Sequence, residues 1–72
     1  MDMEIIDTVT ADCLEVGDVI RLEDGFCEVR AFNDHGSFIE VTVREIGYDD
    51  DDHAEFNPSQ RISVYGYSVV EV

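Results

Sequence analysis

Four side chains in this 72-residue sequence, Cys13, Cys27, His35 and His53, make up the donor inventory of a Cys₂His₂ zinc site. Such sites draw their ligands from close cysteine and histidine pairs, and here neither the two cysteines nor the two histidines form one. The same residues suggest a thiol nucleophile with a histidine base, but that chemistry needs a tertiary contact, and His35 lies within the turn-prone run Asn33-Asp34-His35-Gly36. A chain this short also offers little concave volume for a substrate. No catalytic residue, metal ligand or cofactor is therefore assigned, and no enzyme is expected. Cys27 alternates with Val29 and Ala31, as a small core residue on a strand does, and both cysteines read as thiols of a reducing compartment.

The second chemical feature is Asp49-Asp50-Asp51-Asp52, followed by His53 and Glu55. Oxygen ligands in such number can collect a hard cation. Counted from Asp49, however, a calcium loop of the helix-loop-helix kind needs glycine at its sixth position and glutamate at its twelfth, where this chain has Ala54 and Gln60. A solvated hairpin tip with weak, unselective cation binding is expected instead.

Aromatic side chains supply the third. Phe26 and Phe32 are out of phase with Cys27, Val29 and Ala31, so at least one should be partly exposed or turned inward by a twist. Together with Tyr48 and Asp49, Asp50, Asp51 and Asp52, they are the candidate binding residues.

The charge limits the partners. Eighteen acids against four bases give a formal net charge of -14. The bases are Arg21, Arg30, Arg44 and Arg61, one on each of four expected strands rather than gathered in a basic stripe. Direct binding of nucleic acid or anionic lipid is disfavoured, and a basic protein partner is favoured. The first residues lack the basic and apolar regions of a signal peptide, and no apolar run approaches the roughly 20 residues of a membrane span. A cytoplasmic protein is expected.

Short runs of β-branched and aromatic residues, broken by Gly, Asp and Asn, must position these groups. Residues 5–9 can form a first strand, and 10–14 lead to a turn at Gly17-Asp18. Strands are expected over 18–23 and 26–32, joined by a hairpin turn at Asp24-Gly25. Over 38–44, Ile39, Val41 and Val43 share one face; the alternation then slips near Gly47, predicting a bulge or bend. Ala54 and Phe56 restart an apolar face, residues 57–60 fit a tight turn, Ile62 and Val64 follow, and a last strand is expected over 67–72. The pattern predicts one all-β domain over 1–72, a small SH3-like antiparallel barrel of five to six short strands.

Leu14-Glu15-Val16-Gly17-Asp18-Val19-Ile20, followed by Asp24-Gly25-Phe26-Cys27-Glu28-Val29, resembles the opening of SH3-like barrels such as the N-terminal domain of translation elongation factor P. Residues 36–44 are similar to that domain's third strand. The resemblance implies the barrel, but the family's functional lysine has no counterpart in Asn33-Asp34-His35-Gly36, so its activity does not carry over. In composition and pattern the chain is also similar to small acidic β proteins of actinobacteriophages. The function expected is a noncatalytic acidic module that docks a basic protein, as a phage-encoded accessory or nucleic-acid-mimic inhibitor would. The alternative is a housekeeping, translation-related barrel whose acids serve solubility in a salt-rich cell.

Overall fold

The computed structural model describes residues 3–23 and 25–67. Its strands are β1 (Met3–Thr10), β2 (Val19–Leu22), β3 (Gly25–Asp34), β4 (Ile39–Glu45), β5 (Asp51–Phe56) and β6 (Arg61–Tyr67), with a single 3₁₀ turn, Ala11–Cys13, between the first two. All pairings are antiparallel within one six-stranded sheet, in the order β1-β6-β2-β3-β4-β5. The chain is thus all-β. From β2 to β5 it is a meander of hairpins, and β6 then returns to lie between β2 and β1. Among the described residues no helix is long and apolar enough to cross a membrane.

The core follows from strand alternation. Ile39, Val41 and Val43 are buried on β4, Ile62 and Val64 on β6, and Ile20 on β2. Cys27 and Val29 meet them from β3, and Leu14 and Ala11 close one end. Ala11 is tied there by backbone bonds, its N–H donating to Gln60 O at 2.9 Å while Asp12 N–H donates to Pro58 O at 3.3 Å. These bonds fasten the 3₁₀ turn to the tight turn at 57–60, where Gln60 N–H donates to Asn57 O at 2.9 Å.

One expectation about the core changes. The β3–β4 register shifts between Val29 and Ala31, leaving Arg30 as the extra residue of a bulge. Because side chains alternate with a period of two, that insertion reverses every face beyond it. Ala31 is consequently exposed, and Phe32, opposite Val41, packs against the core.

The first hairpin also differs in detail. Leu22 pairs with Gly25, so the connection is Glu23 plus Asp24, and Asp24 lies outside the described residues. Gly25 opens β3 with φ 137°, a backbone that other residues reach only under strain. The bend expected near Gly47 is present as a turn in which Tyr48 N–H donates to Glu45 O at 3.0 Å. Of the last expected strand, residues 68–72 lie outside the described residues.

Candidate functional site

The β4–β5 hairpin builds an acidic depression. Register places Arg44 opposite Asp51 and Val43 opposite Asp52, so Asp51 and Asp52 open β5 and, of the four aspartates, only Asp49 and Asp50 lie in the connection. This corrects the expectation that all four aspartates make a free loop. Asp51 Oδ1 accepts from Arg44 Nε at 2.8 Å. That hydrogen bond holds the Asp51 carboxyl below its ordinary range and pushes Arg44 up. One of the four charges is therefore neutralised locally.

Beside this pair lies a depression of about 250 Å³ lined by Leu22, Cys27, Val43, Glu45, Tyr48, Asp50, Asp51 and Asp52. Cys27 and Val43 are buried and Leu22 is half-buried, which makes an apolar floor. Tyr48 stands 63% exposed at the rim, where its ring face is open to contact. A hydrocarbon stem over an apolar floor with its cationic head among carboxylates suits a lysine or arginine side chain.

The predicted binding residues divide. Tyr48, Asp50, Asp51 and Asp52 line the depression, whereas Asp49 is exposed beside it. Phe32 is partly buried and packs against the core, for the bulge reason given above. Phe26 faces the other side of β3, edge-on to Tyr65 with ring centroids 5.1 Å apart, and the Arg21 guanidinium lies 5.8 Å from its ring centre.

The thiol and imidazole groups do not converge. Cys13 is exposed and Cys27 is buried. His35 stacks on Phe38 with centroids 4.5 Å apart, and His53 Nδ1 shares a hydrogen bond with Thr42 Oγ1 at 3.2 Å. Among the described residues no three His, Cys, Asp or Glu side chains are grouped to hold a metal ion.

A second depression, of about 260 Å³, was not legible in the sequence. Arg21, Leu22, Phe56, Gln60, Arg61, Ile62, Ser63 and Tyr65 line it. It exists because β6 lies beside β2, with Ile20 opposite Val64 and Val19 opposite Tyr65. Comparison of the chain with protein-family models, curated proteins and solved structures finds no match.

Proposed function

We propose that this protein is a noncatalytic binding module that docks a basic protein partner, with a lysine or arginine side chain of that partner seated in the acidic depression. The observation that carries the reading is the apolar floor of Leu22, Cys27 and Val43 inside a rim of Glu45, Asp50, Asp51, Asp52 and the exposed Tyr48. Apolar floor and charged rim together select a cationic side chain over either a small metal ion or a neutral residue. The net charge of -14 adds long-range attraction that speeds encounter with a basic surface.

Calorimetric titration with an acetylated, amidated lysine peptide and its norleucine counterpart tests this. Binding of the lysine peptide should be saturable, weaken roughly threefold to fivefold in an Asp50→Asn/Asp52→Asn variant, and fade with added salt. Equal binding of the two peptides would sink the proposal and favour a translation-related barrel whose acids serve only solubility.

A further inference from the structure

We propose that the Arg21–Arg61 depression is a carboxylate site, and that the partner segment is therefore of mixed charge, with its cationic side chain in one depression and an acidic side chain in the other. The proposal rests on the function proposed above and names the chemistry of the partner more closely.

The four arginines are used in two different ways. Arg30 Nη1 contacts Glu28 Oε1 at 2.8 Å, and Arg44 Nε contacts Asp51 Oδ1 at 2.8 Å. Arg21 and Arg61 have no carboxylate partner among the described residues, although the chain carries eighteen acids. Both are exposed, and both line one depression. Arg21 is held by an aromatic ring instead: its guanidinium lies over Phe26, and Phe26 is braced at 70° against Tyr65. A ring accepts no N–H hydrogen bond in the plane of a guanidinium, so Arg21 keeps donors for a planar, two-oxygen acceptor. Gln60, Ser63 and Tyr65 add hydrogen-bonding groups on the same lining.

Leu22 lines both depressions, so the acidic and arginine sites adjoin across one apolar side chain. A free anion approaching this protein meets the field of a -14 chain and is repelled. A carboxylate tethered to a cationic side chain already seated across Leu22 arrives at high effective concentration. The long-range repulsion grows with ligand charge, so on approach it acts less on a carboxylate than on a doubly charged phosphate.

Acetylated, amidated peptides carrying one lysine and one glutamate, separated by glycine spacers of increasing length, provide the test. At the spacer that spans Leu22, the glutamate peptide should bind roughly threefold to fivefold more tightly than its glutamine counterpart. That advantage should vanish in Arg21→Gln/Arg61→Gln, whose folding is checked by its amide NMR spectrum. Equal binding of the glutamate and glutamine peptides at every spacing, or an advantage that survives in the double variant, overturns the carboxylate site. Tighter binding of a phosphoserine peptide than of the glutamate peptide overturns it in favour of a phosphate site. Replacing the lysine by norleucine in the same peptides reads the acidic depression separately, so failure of one site is distinguishable from failure of the other.

Discussion

The two depressions flanking Leu22 treat charge in opposite ways. On the β4–β5 side a cation is already engaged, because Arg44 is bound to Asp51, and the surplus is three rim carboxylates, Glu45, Asp50 and Asp52. On the β2–β6 side the cations are the surplus: Arg21 leans on an aromatic ring and Arg61 has no carboxylate partner among the described residues. Pairing inside the fold therefore subtracts from what a surface can offer a partner. On the proposed reading, the residues that would recognise a partner are those left over after local neutralisation, and net charge alone does not reveal them.

Both depressions depend on the β2–β3 hairpin, which presents Arg21 to one and Leu22 to both. Breaking it should have the largest effect. Gly25→Val places a β-branched residue at φ 137°, although a Cβ there would meet only ordinary contact with Glu45 Oε2 at 3.6 Å. The cost is backbone strain of about 1 to 3 kcal/mol, to be read as a lowered thermal midpoint. An unchanged midpoint would mean that the hairpin does not constrain Gly25.

A smaller effect should separate the aspartates that the sequence presents as equivalent. At low salt, Asp50→Asn should raise the melting temperature by removing unpaired repulsion, whereas Asp51→Asn should lower it by removing the Arg44 contact. Both shifts should shrink as the Debye length falls from about 30 Å at 0.01 M salt to about 3 Å at 1 M. Shifts of the same sign would show that the Arg44–Asp51 contact does not persist in solution.

Acidification should give the smallest effect. The folded Asp51 carboxyl titrates below its ordinary value, so its contribution to stability is complete at neutral pH. It is lost as pH falls below about 3.9, the ordinary aspartate value, and through the lower folded value. Comparing acid unfolding of Asp51→Asn with the unchanged protein isolates that loss. Identical acid profiles would contradict the lowered carboxyl.

Tyr48 and the aspartates of the acidic depression were legible in the sequence as candidates, whereas the arginine depression was not. Tyr48 and the aspartates are neighbours in the chain, and Val43 lies in a plain alternation with Ile39 and Val41. The pairing of Arg44 with Asp51 escaped, because it depends on where β5 starts, and so did the approach of Leu22, Cys27 and Glu45 to the aspartates. Arg21 and Arg61 converge through the pairing of β2 with β6, a long-range contact that no local pattern announces. The inward turn of Phe32 has a related cause: one inserted residue, Arg30, reverses the faces of β3, and alternation alone cannot locate a bulge. The 3₁₀ turn of Ala11–Cys13 was read only as a lead-in, since backbone bonds to Pro58 and Gln60 fix it.

The most direct measurement is an amide NMR titration of the full chain with the acetylated, amidated lysine peptide. Saturable shifts concentrated at Tyr48, Asp50, Asp52 and Glu45, abolished when lysine is replaced by norleucine, are the result expected if the acidic depression seats a cationic side chain. Shifts spread evenly over all exposed carboxylates, or confined to β1 and the 57–60 turn, would contradict it.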